Sequence, residues 1–168
     1  MENFFIREAE EKDASSILSF MKQVGGESDN LTFGKEGLPF SEEEEKAFLK
    51  SKKEDLKTVM YLALEGDRIL GVGDLRSLDR RMSHRGEIGL SVIKDSWNKG
   101  IGTALMEKLI SYGKSIDMKL ISLEVKSDNY GAIHLYEKVG FQRIGTFPAF
   151  HKIGDEYADF EIMVLDLR

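Results

Sequence analysis

The chain has 168 residues, no cysteine, and 24 Lys and Arg against 30 Asp and Glu, a net charge of −6. Missing cysteines exclude a disulfide framework, a thiolate nucleophile and a cysteine-ligated metal. Acidic charge spread along the chain argues against a nucleic-acid footprint and mildly favours cationic partners. A chain of this length buries roughly two-thirds of its unfolded surface, so one domain over 1–168 is expected. His84, His134 and His151 fall in separate segments without ligand spacing, so no metal is expected. No basic-then-apolar leader opens the sequence and no apolar run nears bilayer length, so a cytoplasmic protein with no membrane partner is expected.

Residues 4–7, Phe-Phe-Ile-Arg, read as a first strand. Asp13-Ala14, Ile17-Leu18 and Met21 carry the three-and-four spacing of an amphipathic helix, expected to end near Gly25-Gly26. From there to Phe40 the chain is rich in Gly, Ser, Asp and Asn, with Phe33 and Phe40 isolated. That composition predicts a long loop, and loops of such length tend to be functional or disordered. Ser41 with Glu44 forms a capping box that starts a second helix through Ala47, Phe48 and Leu49. The acids of its first turn are explained first by the helix dipole.

Residues 58–65 and 68–78 are apolar-rich strands joined by Gly66-Asp67, a two-residue hairpin signal. After a basic turn at 80–86, residues 87–93 form a strand with Glu87, Gly89 and Ser91 on one face and Ile88, Leu90 and Val92 on the other. A helix follows with Ile101, Leu105, Leu109, Tyr112 and Ile116 on its buried stripe. Then come a strand at 120–125, a helix from Asn129, a short strand to Phe147, a loop through His151 and Gly154, and a last strand at 157–166. The order β-α-α-β-β-β-α-β-α-β-β predicts an α/β (α+β) fold with a mixed, mostly antiparallel sheet and helices on its faces.

The stretch 88–105, IGLSVIKDSWNKGIGTAL, joins a strand through a polar turn and two glycines to a helix start. The first N–H groups of a helix lack intrahelical acceptors and carry the positive end of the dipole, so an anion fits there. Gly100 and Gly102 let a pyrophosphate approach the backbone, and Lys99 adds charge beside it. A P-loop is excluded, because its lysine follows the glycines. A dinucleotide-binding turn is weakened, since Leu105 stands where a third glycine belongs, although Glu124 lies about where a ribose-binding acid would be.

The next segment carries Asn129, Ala132, Tyr136-Glu137-Lys138 and Gly140-Phe141. With the preceding strand-turn-G-x-G-helix, in this order and spacing, it resembles the GCN5-related N-acetyltransferase (GNAT) superfamily. The resemblance implies about seven strands and about four helices, acetyl-CoA as co-substrate, an amine acceptor and a homodimer. It implies that Val92, Ile93 and Lys94 bind the pantetheine arm, with an N–H near Val92 polarising the thioester. Lys99, Gly100, Ile101, Gly102, Thr103 and Ala104 would cradle the phosphates, and Asn129, Ala132 and Tyr136 would complete the coenzyme site. Asn129 and Tyr136 also share a helix face, about 10 Å apart along the axis.

Catalysis would rest on Tyr136 as proton donor to the departing thiolate and Glu87 as base. Trp97 departs from the family by standing where Gln or Arg is usual, and it is expected to pack. Acids in the loop (Glu27, Asp29, Glu36), the next helix (42–45) and the last hairpin (Asp155, Glu156, Asp159, Glu161) point to a small cationic amine acceptor, polyamines first. Protein lysines or N-termini are the alternative, as is a coenzyme-binding module without catalysis.

Overall fold

The computed structural model describes residues 3–168. Its elements run β1 (Phe5–Glu8), α1 (Ala14–Glu27), α2 (Glu42–Glu54), β2 (Thr58–Glu65), β3 (Arg68–Ser77), β4 (Arg85–Val92), α3 (Ile101–Ser115), β5 (Leu120–Lys126), α4 (Tyr130–Lys138), β6 (Gln142–Ile153) and β7 (Glu156–Asp166). One seven-stranded sheet has the order β1-β2-β3-β4-β5-β7-β6. All its neighbours are antiparallel except β4 and β5. This is the mixed, mostly antiparallel sheet with four helices that the element order predicts.

Strand alternation sorts the sheet into two unlike faces. A Cβ at Gly71 or Gly73 would meet Leu105 and Leu109 of α3, so that parity faces α3. Leu75, Ile88, Ile121, Leu123, Val125 and Met163 share that side and pack with Met106, Leu109 and Ile110 of α3 and Ile133 and Tyr136 of α4. On the opposite side, Ile17, Phe20 and Val24 of α1 and Leu49 of α2 cover Leu62, Leu70 and Val72. The predicted stripe of α3 holds at Ile101, Leu105 and Leu109, with Met106 and Ile110 buried beside them, while Tyr112 and Ile116 are only half-buried.

The capping box of α2 is present: the Ser41 hydroxyl accepts from Glu44 N–H at 3.1 Å and Glu44 Oε2 accepts from Ser41 N–H at 2.7 Å. Helix α1 ends at Glu27, next to Gly25-Gly26 as expected. Gly25 is there for packing, since a Cβ would lie 2.0 Å from the Gly34 carbonyl oxygen of the following loop. Strand β6 does not end at Phe147; its register breaks between Phe147 and His151 and then resumes to Ile153. The break holds Pro148, which has no N–H to give, and Ala149 at φ +51°.

Candidate active site

The parallel joint between β4 and β5 is short: only Arg85↔Leu120, Gly86↔Ile121 and Glu87↔Ser122 are in register. Beyond Glu87 the two strands part, and the rest of β4 has no strand partner on that side. Ile93 N–H donates to the Leu70 carbonyl at 3.0 Å, so odd-numbered residues of β4 turn their backbone groups towards β3. Leu90 and Val92 therefore aim theirs into the opening. An extended chain entering there finds strand-like donors and acceptors.

Each residue named for this edge has a definite place. Ile93 is fully buried and its N–H is spent on β3. Lys94 N–H donates to Glu27 Oε2 at 2.8 Å, a link of the phosphate loop to the end of α1. The Val92 carbonyl accepts from Trp97 Nε1–H at 2.8 Å. Trp97 was expected to pack; it is instead 40% exposed and held by this bond. Of the three, Val92 keeps its N–H directed into the opening.

Past the 3-10 turn at Lys94–Ser96, the backbone enters α3 through Gly100, which caps the helix at φ +82° without any side-chain hydrogen bond. Intrahelical bonding begins with Ala104 N–H to the Gly100 carbonyl at 3.0 Å. The N–H groups of Ile101, Gly102 and Thr103 are thus the orphan donors of the first turn, with exposed Lys99 beside them. The fit to a pyrophosphate is a helix N-terminus with no cap of its own. The two glycines differ in role. A Cβ at Gly100 meets open space, and the residue is required by its left-handed φ. A Cβ at Gly102 would lie 2.8 Å from Leu135 Cδ1, so this glycine admits α4 against α3. A bulky residue at Gly102 would therefore strike α4 before it filled any phosphate space.

Asn129 caps α4, its Oδ1 accepting from Ala132 N–H at 3.4 Å. Tyr136, seven residues on, is 7% exposed and lies 6.2 Å from Phe141 between ring centroids. Its hydroxyl makes no hydrogen bond among the described residues. Burial pushes Tyr136 up to about 12. The phenol is therefore protonated at neutral pH and is a weaker acid than a free tyrosine, which suits hydrogen-bond donation to a thiolate of pKa about 8.5 better than outright proton transfer.

Glu87 lies on the opposite face, where Arg76 Nη2 holds its Oε2 at 2.7 Å. The register Glu87↔Ser122 puts Glu124, two residues further on β5, on the same face. Burial first, and the Glu87 charge second, raise the Glu124 carboxyl above its ordinary value. Sequence reasoning placed Glu124 only as a possible ribose ligand; its side-by-side relation to Glu87 needs the interstrand register. On the same face Asp74 approaches Lys52 of α2 at 3.6 Å. Acid and base candidates thus flank the opening from opposite sides of the sheet.

At the far end of β5 a cavity of about 410 Å³ is lined by Asp29, Lys126, Asp128, His151, Glu156 and Asp159, among others. His151 Nε2 bonds the Asp29 carbonyl at 3.0 Å, fastening the loop after α1 to the β6–β7 hairpin. Of the acids expected near the acceptor, Asp29, Glu156 and Asp159 come together here. Glu42, Glu43 and Glu44 are exposed on the first turn of α2, while Glu45 is 1% exposed with a sealed, unpaired Oε2. Among the described residues no group of three or more His, Asp or Glu is arranged to hold a metal, and no helix is long and apolar enough to cross a membrane.

Comparison with known proteins converges on this architecture. The acetyltransferase of GNAT family from Streptococcus pneumoniae superposes with a TM-score of 0.94 at 28% identity, over 98% of this chain and 100% of that one. The putative acetyltransferase yncA from Salmonella typhimurium, solved with its cofactor acetyl-CoA, shares the fold at a TM-score of 0.85 and 19% identity, over 99% of this chain and 95% of that one. In sequence, the uncharacterized N-acetyltransferase p20 of Bacillus licheniformis is 29% identical over 52% of this chain and 49% of its own length. The N-alpha-acetyltransferase RimI of Mycobacterium tuberculosis is 27% identical over 54% and 56%. The chain thus spans about half the length of the curated relatives it matches. The model of the Acetyltransferase (GNAT) family matches residues 28–141, the stretch that holds the opening, the uncapped helix and the Asn129–Tyr136 pair, and the chain belongs to that family.

Proposed function

We propose that the protein is an acetyl-CoA-dependent N-acetyltransferase that acts on a primary amine, with a small cationic amine such as a polyamine as acceptor. The observation that carries the reading is the opening between β4 and β5, with Tyr136 on one side of the sheet and Glu87 and Glu124 on the other. Acetyl-CoA supplies an acetyl thioester. Val92 N–H donates to the carbonyl oxygen on which negative charge develops. Glu124 takes the proton of the incoming ammonium, directly or through water, with Glu87 and its Arg76 partner setting the local charge. The freed amine nitrogen bonds to the acetyl carbon as the carbon–sulfur bond breaks; the proton that the new amide nitrogen sheds goes to the departing thiolate, to which the Tyr136 hydroxyl donates a hydrogen bond.

The cationic acceptor is supported by the cavity beside β5, where four carboxylates meet one lysine that is itself paired with Asp128 at 3.2 Å. Negative lining draws polycations at a rate that falls with salt. A protein N-terminus is the second reading, favoured by the likeness to N-alpha-acetyltransferases. Self-association is part of the proposal: β6 is an edge strand on which Ile144 is 66% and Phe147 51% exposed, and a second copy would cover them.

Thiol release from acetyl-CoA with spermidine, spermine, amino acids and N-terminal peptides, at low and moderate salt, tests the acceptor. Polyamines should give the highest kcat/KM and lose it as salt rises. Preference for neutral or anionic amines would sink the charge argument and leave the transferase standing, and no thiol release with any amine would return the chain to a binding module.

A further inference from the structure

Trp97 is the single tryptophan of the chain. Its indole donates to the Val92 carbonyl at 2.8 Å although the ring is 40% exposed. The direction of that carbonyl gives the bond its meaning. Ile93 turns its N–H to Leu70, so Val92, one residue earlier, turns its backbone groups into the opening. An extended arm added to this edge would bond the same carbonyl, since an added strand places its N–H nitrogens about 2.9 Å from the carbonyls it pairs with. The indole nitrogen already stands at that distance. An arm laid in the neighbouring strand position, about 4.8 Å from β4, would compete with the indole for this carbonyl.

The main chain around Trp97 is pinned. Trp97 N–H donates to the Lys94 carbonyl at 3.2 Å, and Lys94 N–H is held by Glu27. A change confined to the side-chain torsions of Trp97 would free the carbonyl without moving the loop. We infer, building on the coenzyme reading above, that Trp97 gates the coenzyme arm: its indole caps the Val92 carbonyl and must be displaced for the arm to pair with β4. Glutamine at the same place would offer a thinner donor, so the gate belongs to this chain's tryptophan rather than to the loop as such.

The test joins calorimetry with Trp97 emission. Titration of the wild-type protein with coenzyme A should shift the emission with the same midpoint as the heat of binding. Trp97→Phe, which keeps a ring and loses the donor, should bind coenzyme A about two- to tenfold more tightly, the range for removing one competing exposed hydrogen bond. Trp97→Gln should fall between the two. An unchanged melting temperature of each variant checks that the loop is intact. Unchanged emission at saturation, or weaker binding by Trp97→Phe, would overturn the gate and make the indole a fixed wall while the coenzyme reading stands. No heat of binding to the wild-type protein would overturn both.

Discussion

The two faces of the sheet meet along β4, and they differ in kind. Towards α3 and α4 the strand shows Ile88 and Leu90 among buried apolar side chains. Towards α1 and α2 its neighbourhood carries Asp74, Arg76, Glu87 and Glu124, with Lys52 reaching down from α2. One alternating strand thus builds a dry wall and a charged wall at once. In the proposed reaction, proton acceptance on the charged side and sulfur release on the dry side need no shared residue, so the two can be disturbed separately.

The largest effect is expected on the dry side. Tyr136→Phe removes only the hydroxyl and should cost about ten- to a thousandfold in turnover, within or just below the usual range for one general acid. Coenzyme affinity by calorimetry should be unchanged. Turnover equal to wild type would make Tyr136 a packing residue and erase the contrast between the faces.

A loss inside that range, but dependent on pH, is expected from the charged side. Burial and the Glu87 charge raise the Glu124 carboxyl above its usual value, so a base that must be ionised sets an acidic limb above that value, with activity rising as pH rises through it. Glu124→Gln should lower kcat/KM by about a hundredfold at neutral pH and remove that limb. Glu87→Gln should lower it less and move the limb down, because a neighbouring negative charge is gone. The reverse ranking of the two variants would assign the proton to Glu87.

The smallest effect concerns stability. Glu45 is 1% exposed, its Oε2 is sealed without a partner, and burial raises its carboxyl above the ordinary range. A raised folded-state value means that the fold loses stability as pH climbs from the unfolded value through the folded one. Glu45→Met should therefore stabilise the protein by about 1 kcal/mol at neutral pH, with less gain in acid. Thermal melts at two pH values would show it, and a gain larger in acid would reverse the assignment.

Much of this fold was legible because periodicity and caps are local: the order of strands and helices and the Ser41 capping box follow from residues within a few positions of each other. What escaped depends on contacts between distant segments. The role of Gly25 is an example: it answers to Gly34 of the next loop, not to its own helix end. Gly102 reads as a phosphate glycine in the sequence, but its contact with Leu135 of α4 shows only in the fold. Glu124 sat in plain view of the sequence, but its partnership with Glu87 exists only through a register three rungs long. Trp97 gave no sign in the sequence of the carbonyl it holds.

That short register also has a mechanical meaning. Strands β1 to β4 and strands β5 to β7 are each laced by long antiparallel ladders, such as the eight pairs of β2 with β3 from Thr58↔Arg76 to Glu65↔Arg68. Between the two blocks the sheet is joined by three backbone pairs and bridged by the apolar side of α3 and α4. Such a sheet is two laced plates on a narrow weld. A guest chain laid along β4 would lengthen that weld, adding backbone pairs where the sheet has fewest.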